Sequence, residues 1–369
     1  MKKALAVCLS LLLIIFDLPI DSYALPRDLS LSAESAALVD ASSGAILFSK
    51  NAERRLGMAS TTKIMTALVA AERCDLSHTI TVSPDAVGIE GSSIYLYAGE
   101  RFTLEELLYA LLLRSANDAA AAIAIEIGGS IEGFADMMNE RANEMGLKNT
   151  HFTNPHGLYD ETHYTSAYDL AIIASHLLKN EALKKIVSTY KITIPFYESS
   201  DNVRFLVNHN KMLKLYDGAV GVKTGFTKAT GRCLVSAAER DGLTLVAVTL
   251  NAPDDWNDHK KMLDFGFDSY ENVIIADIGE FKYSLSVVGG KGDFVELVNS
   301  QALSVTLPKE RNELICVVET YHRFEFAPVL RGASLGTVSY IYEGKRILSS
   351  PLIASLTVER ENTDKGLFG

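Results

Sequence analysis

The spacing of apolar positions along the chain changes period several times. Ala37 to Asp40 and Ala45 to Ser49 are short apolar runs around Ser42-Ser43-Gly44, which predicts a β-hairpin. After Ser60, the apolar residues Ile64, Met65, Leu68 and Ala71 recur at helical spacing and predict a helix to about Glu72. Thr103-Leu104-Glu105-Glu106 spells a capping box and opens a leucine-rich helix to about Leu113. Ser115-Ala116-Asn117 interrupts it. The Ala/Ile-rich run from Asp118 to Ile127 then reads as a helix buried on all sides and stopped by Gly128-Gly129. A polar loop from Asn154 to Ser166 leads to a second boxed helix start at Ser166 to Asp169.

Beyond Tyr190 the period shortens to two. Lys191 to Pro195, Ala219 to Lys223, Arg232 to Arg240 and Leu243 to Leu250 read as strands, and Asp241-Gly242 is a strong hairpin signal between the last two. Helices enclosed between an early hairpin and late strands predict an α/β or α+β domain with an antiparallel sheet, spanning about residues 33–270. Near Asp268 the composition shifts. Alternating and β-branched residues, punctuated by Gly289-Gly290, Pro308, Pro328 and Gly332, predict a separate small β domain over 275–358, followed by a short polar tail at 359–369.

The first residues carry an address. Lys2 and Lys3 precede an apolar run from Ala4 to Phe16, and Ser22-Tyr23-Ala24 is a small-x-small site, so residues 1–24 read as a secretory signal peptide. That run is short against the roughly 20 apolar residues a spanning helix needs. The formal net charge is −11, with no long basic run, which argues against nucleic acid as a partner. With Cys8 in the signal, Cys74, Cys233 and Cys316 remain, an odd and scattered set that builds no disulfide framework.

Candidate chemistry starts at Ser60 and Lys63. Residues three apart share a helix face, so hydroxyl and amine can meet, and a buried amine can act as a base for the hydroxyl. The plain alternative is that Ser60 is an N-cap. The same letters recur at Ser188-Thr189-Tyr190-Lys191, but that serine leads into a strand and lacks the apolar face that follows Ser60. Ser-x-Asn occurs at Ser49, Ser115 and Ser200, and only Ser115-Ala116-Asn117 lies between two predicted helices. Lys223-Thr224-Gly225 ends the apolar strand AVGV, where an amine, a hydroxyl and a glycine form a cradle for a carboxylate.

Ser-x-x-Lys opening a helix, Ser-x-Asn between helices and Lys-Thr-Gly on an antiparallel strand, in that order, resemble the penicillin-recognising serine enzymes. The words RLGMASTTKIMTAL, LLLRSANDAAAAIA and VGVKTGFTKATGRCLVSAAERDGLTLVAVTL look like the low-molecular-weight D-alanyl-D-alanine carboxypeptidases, and the stretch from Ala327 to Glu359 resembles their appended β domain. The resemblance implies a transpeptidase/β-lactamase-like catalytic domain, its antiparallel sheet flanked by helices and a helical subdomain. It implies Ser60 as nucleophile, Lys63 as base, Ser115 and Asn117 as proton relay and substrate amide contact, and Lys223 and Thr224 as the carboxylate site. The backbone N–H groups of Ser60 and Phe226, after Gly225, would form the oxyanion hole.

Expected partners are peptidoglycan stems ending in D-Ala-D-Ala and, as inhibitors, β-lactams; no cofactor is implied. A class A β-lactamase would need a Glu-x-x-Leu-Asn run, which does not occur between Asn117 and Lys223. The polar tail does not read as the amphipathic membrane helix with which such enzymes often end, so a free or wall-associated extracytoplasmic enzyme is expected. His151, His156 and His163 have no metal-ligand spacing, and Cys233 reads as a buried apolar residue. Two rival readings are an endopeptidase on peptide cross-links and an idle wall-binding or penicillin-sensing protein.

Overall fold

The computed structural model describes residues 28–196 and 199–361. The signal-peptide expectation and most of the polar tail lie outside these residues. Along the chain, β1 (Ser35–Asp40) and β2 (Ile46–Lys50) form the early hairpin, followed by α1 (Lys63–Arg73). β3 (Thr79–Thr81) pairs with β4 (Arg101–Thr103), which leads into α2 (Leu104–Leu113), α3 (Asn117–Gly128) and α4 (Ile131–Glu144). Then come α5 (Ala167–Lys179), α6 (Glu181–Ser188) and the hairpin β5 (Lys191–Phe196) with β6 (Ser199–Val207). A short α7 (Met212–Leu215) precedes β7 (Ala219–Thr227), β8 (Gly231–Arg240), β9 (Leu243–Leu250) and α8 (Asp255–Ser269).

Five of these strands form one antiparallel sheet in the order β2-β1-β9-β8-β7, so the strand that carries Lys223 is an edge. The apolar character of β8 has a two-sided cause. Cys233, Val235 and Ala237 face the large helical core, while Leu234 and Ala238 face a second cluster containing Met262, Leu263 and Phe265 of α8. Asp241 and Gly242 both have positive φ, as the tight turn between β8 and β9 requires.

α1 lies at the centre of the helical layer, and every side chain from Lys63 to Ala70 is buried. Burial on all sides therefore fits α1 better than α3, whose first eight residues are buried but whose last turn surfaces at Glu126. The expected capping box at Thr103 is complete, with Thr103 Oγ1 accepting from Glu106 N and Glu106 returning a bond to Thr103 N. At Ser166 only half of it forms, because the Asp169 carboxylate turns to Asn149 N and Thr150 instead. The sequence reading missed α4, whose apolar face is narrow.

β10 (Tyr270–Ala276) begins a β-rich region with β11 (Lys282–Val288), β12 (Phe294–Asn299), β13 (Leu303–Pro308), β14 (Ile315–Thr320), β15 (Phe324–Phe326), β16 (Ser334–Tyr342) and β17 (Lys345–Ala354). Six of these strands form a sheet in the order β14-β16-β17-β12-β11-β15, and β10 pairs with β13. A separate core including Val295, Leu297, Val338 and Leu352 holds it together. Tyr270 ties the two regions: it packs edge-on to Phe265 at 6.0 Å and its hydroxyl donates to Leu47 O at 3.3 Å.

Candidate active site

Ser60 sits in a 3₁₀ turn, Ala59–Thr62, that runs directly into α1. The N-cap reading of Ser60 is corrected here, because no side chain caps either the turn or the helix. Neighbouring threonines satisfy the turn's carbonyls instead: Thr61 Oγ1 donates to Met58 O at 2.6 Å and Thr62 Oγ1 to Ala59 O at 2.8 Å. That leaves the Ser60 hydroxyl for Lys63. Ala59 has φ +48°, a left-handed conformation for a residue with a Cβ, and the 154–158 loop braces it. A Cβ on Gly157 would fall 2.0 Å from Ala59 O, so only glycine lets the loop press this close.

His163 anchors the same turn from behind. Thr153 N donates to its Nδ1 at 3.0 Å, so Nε2 carries the proton and donates to Thr62 Oγ1 at 2.7 Å. Burial holds the ring neutral and lowers its pKa to about 4.

Lys63 is wholly buried, and its amine reaches three acceptors. Nζ donates to Ser60 Oγ at 2.9 Å, to Asn117 Oδ1 at 2.7 Å and to the carbonyl of His156. Desolvation drives its pKa well below the ordinary lysine value, the nearby Lys223 amine pushes it further down, and Asp118 pulls the other way. The neutral amine that general-base chemistry needs is therefore favoured by the site itself. His156 contributes its backbone carbonyl; its ring pKa falls to about 3 through burial and the nearby Lys63.

Asn117 opens α3 and locks a facing loop. Its N donates to Ser92 O at 2.7 Å and its Nδ2 to Glu90 O, while the Asp118 carboxylate accepts from Ser93 Oγ, Ile94 N and Leu96 N. The loop over residues 90–96 is thus fixed as one wall of the cleft. Ser115 lies on the cleft wall with φ +62°, and among the described residues its hydroxyl is not hydrogen-bonded.

Lys223-Thr224-Gly225 lies inside β7, which continues to Thr227, rather than at the strand end the sequence suggested. The continued strand passes beside Ser60. A Cβ on Gly225 would lie 3.1 Å from both Ser60 N and Thr61 N. Lys223 is buried, donates to Thr224 O at 2.9 Å and has its pKa pushed down to about 7 by burial.

Ser60, Ser115, Thr224, Gly225 and Phe226 line one cleft of about 360 Å³. Phe226 stands on its rim, 64 % exposed. The cleft also takes in residues the sequence reading missed. Arg232 pairs across from Phe226 on β8, and its guanidinium makes a two-bond contact with the buried Asp255 carboxylate at 3.1 and 2.9 Å. His209 and Lys211, from the loop before α7, also line it, and His209 N donates to Leu113 O at 3.2 Å, two residues before Ser115. The hairpin after Lys-Thr-Gly could have placed Arg232 through its register; His209 and Lys211 carried no local signal.

Ser188, the decoy, is exposed at the end of α6, and its hydroxyl donates to Lys185 O at 3.1 Å. Cys233 is fully buried with its thiol pKa raised to about 11 by burial, as its apolar reading predicted.

A serine hydroxyl, a buried lysine whose pKa burial drives down, and an edge strand carrying Lys223 and a close-approach glycine define a serine acyl-transfer enzyme of the penicillin-recognising class. Residues 23–254 match the D-alanyl-D-alanine carboxypeptidase family, and residues 270–360 match the penicillin-binding protein 5 C-terminal domain. The chain belongs to the D-alanyl-D-alanine carboxypeptidase family and is a serine-type hydrolase of that family. It is 37% identical over 337 residues to D-alanyl-D-alanine carboxypeptidase DacF of Bacillus subtilis, covering 89% of this chain and 86% of that one. It is 32% identical to DacC of Escherichia coli, over 92% and 86%. Among solved structures, penicillin-binding protein 5 from Haemophilus influenzae superposes with a TM-score of 0.77 at 29% identity, covering 91% of this chain and all of that one. The Streptomyces K15 DD-transpeptidase superposes with a TM-score of 0.62 at 31% identity over 66% of this chain.

Proposed function

We propose that Ser60 is the nucleophile with which this carboxypeptidase removes the terminal D-alanine from a peptidoglycan stem. The contact that carries the assignment is the 2.9 Å bond between Lys63 Nζ and Ser60 Oγ, in a site that favours the neutral amine. Lys63 takes the hydroxyl proton as Oγ attacks the carbonyl between the two D-alanines. The oxyanion forms against the N–H groups of Ser60 and Phe226, where Gly225 lets the strand approach. Ser115 passes a proton to the departing amine, and water later cleaves the Ser60 ester.

The terminal carboxylate settles on Lys223, Thr224 and Arg232, which is why the cut falls at a chain end. Its arrival favours the charged form of Lys223, and a charged Lys223 in turn favours a neutral Lys63. Asn117 positions Lys63 through Oδ1 in this structure, so its contact with the substrate amide would be made as the substrate enters.

The catalytic unit is assigned to residues 33–270 and the β unit to 275–358. β-Lactams, as mimics of the D-Ala-D-Ala end, are expected to acylate Ser60. Residues 1–24 direct export, placing the enzyme outside the cytoplasm. No helix among the described residues is long and apolar enough to cross a membrane.

The test is intact-mass analysis after incubation with a penicillin, together with D-alanine release from a pentapeptide stem, for wild type and Ser60→Ala. Wild type is expected to gain one adduct and free D-alanine, and Ser60→Ala to do neither. An adduct on Ser60→Ala would sink the assignment of the nucleophile.

A further inference from the structure

The 90–96 loop that walls the cleft is gripped from two sides, and Asn117 and Asp118 account for only one of them. The other grip comes from the β5–β6 hairpin. Along β6 the side chains alternate, with Val203, Phe205 and Val207 exposed and Arg204 and Leu206 buried. A buried guanidinium needs partners for a charge taken out of water. Arg204 finds them on the segment that runs from the cleft to β4. Its Nη2 meets both oxygens of the buried Glu100 carboxylate at 2.9 Å and Tyr95 O at 3.1 Å, and its Nε donates to Ile94 O at 3.0 Å.

Ile94 is where the two grips meet. The Asp118 carboxylate at the start of α3 holds its N–H, and Arg204 holds its carbonyl. Four residues earlier, Glu90 O accepts from Asn117 Nδ2, and Ser92 O accepts from Asn117 N at 2.7 Å. A carbonyl can only accept, so Glu90 O selects the orientation of the Asn117 amide that points Oδ1 at Lys63. A Cβ on Gly91 would fall 2.8 Å from Asn117 Nδ2, so the loop backbone lies close against that amide. Guanidinium, loop backbone, Asn117 amide and Lys63 amine therefore form one chain of direct contacts.

We propose that Arg204 and Glu100 are positioning residues for acyl transfer: by holding the 90–96 loop they keep Glu90 O on the Asn117 amide and Asn117 Oδ1 on Lys63. The inference rests on the reading of Ser60 as nucleophile and Lys63 as its base. Neither Arg204 nor Glu100 lines the cleft, so both act through the loop. With the loop released, Glu90 O leaves Nδ2, the amide loses its fixed sense, and the Lys63 amine loses an acceptor that holds it beside Ser60. The loss falls on the attack of Oγ more than on binding, because Lys63 acts as that bond forms.

The experiment follows penicillin acylation by stopped flow, separating the binding constant from the acylation rate constant, and records Tm. The proteins are wild type, Glu100→Gln/Arg204→Met, Asn117→Ala and the combination of all three substitutions. Removing both charges together leaves neither buried alone, so the fold is expected to stand. The double variant should lose about tenfold or more in the acylation rate constant, with binding changed by less than about threefold. In the Asn117→Ala background the same two substitutions should cost less than about twofold, because the amide through which they act is already gone. Arg204→Lys keeps a charge beside Glu100 without the fork that reaches both carbonyls, and it should show the same loss of rate with the fold retained even where the double variant unfolds. Acylation within about twofold of wild type in the Arg204 variants overturns the inference and leaves the Ser60 reading standing. Equal losses with and without the Asn117 side chain overturn the route through that amide. Wild type that takes no penicillin overturns the Ser60 reading and this inference together.

Discussion

Lys63 Nζ lies 2.9 Å from Ser60 Oγ and 2.7 Å from Asn117 Oδ1, so one buried amine joins the Ser60 turn to the first residue of α3. Both acceptors are neutral, so nothing in direct contact compensates a positive charge on the amine. Replacing Lys63 with alanine is expected to slow β-lactam acylation by roughly 10²–10⁴-fold, the range ordinary for loss of a positioned general base. Lys63→Arg should fail as badly, because a guanidinium stays charged. Stopped-flow acylation rates check this; a loss of under tenfold in Lys63→Arg would refute the base assignment.

Arg232 is held in the cleft by Asp255, whose own pKa burial pushes up while Arg232 draws it down. Arg232→Ala is expected to cost about ten- to a hundredfold in kcat/KM on substrates ending in a carboxylate, from the loss of a charge-assisted contact. Asp255→Asn should give a smaller loss of the same kind, by releasing the guanidinium. A substrate with an amidated terminus should be indifferent to both, and steady-state kinetics on the two substrates separates the cases.

Gly225 is required by proximity, not by backbone angle, since its Cβ would meet Ser60 N and Thr61 N at 3.1 Å. Gly225→Ala is expected to push strand and turn apart by a few tenths of an ångström. Misaligned oxyanion donors typically cost about 10²-fold. The acylation rate should fall while Tm moves by only a few degrees, measured by differential scanning fluorimetry.

A substrate carboxylate received by Lys223, as proposed, would give the activity an alkaline limit. With its pKa near 7, free Lys223 loses its proton as pH rises through that value. kcat/KM on carboxylate-ended peptides is therefore expected to decline above about pH 7, mainly through KM, with the decline reduced on an amidated peptide. A flat profile from pH 7 to 9 on both peptides would contradict a titrating Lys223.

Three buried histidines set the acid limit of stability. His156 and His259 are held to about pKa 3 and His163 to about 4, in each case mainly by burial, against an ordinary value near 6.5. Between those values the unfolded chain binds more protons than the folded one, so stability is full above about pH 6.5 and is lost as pH falls toward 4. The urea midpoint should drop measurably between pH 7 and pH 5. His163→Gln, which keeps a donor toward Thr62, should flatten part of that drop.

Much of this protein was legible before folding. The hairpins, the Thr103 box and the strand pattern from Ala219 to Leu250 follow from local periodicity and turn chemistry, which act over a few residues. So does the rejection of Ser188: a serine at the end of a helix cannot aim at a lysine in a strand. Ser60, Lys63, Ser115, Asn117 and Lys223 stood out as candidates by their residue types and their order along the chain. The sequence kept a capping role for Ser60 open because the letters Ser-Thr-Thr suit capping equally well, and only the chain path shows Thr61 and Thr62 taking the turn's carbonyls.

Tertiary structure decided what those residues are. The sequence cannot say that the Lys63 pKa falls well below its ordinary value, because that depends on enclosure by α3, the 154–158 loop and Lys223, which lie 54 to 160 positions away. Nor can it pair Arg232 with Asp255 or bring Lys211 into the same cleft as Arg232, since desolvation and through-space charge depend on distance in the fold and not along the chain. Local chemistry named the participants; packing set their protonation and their reach.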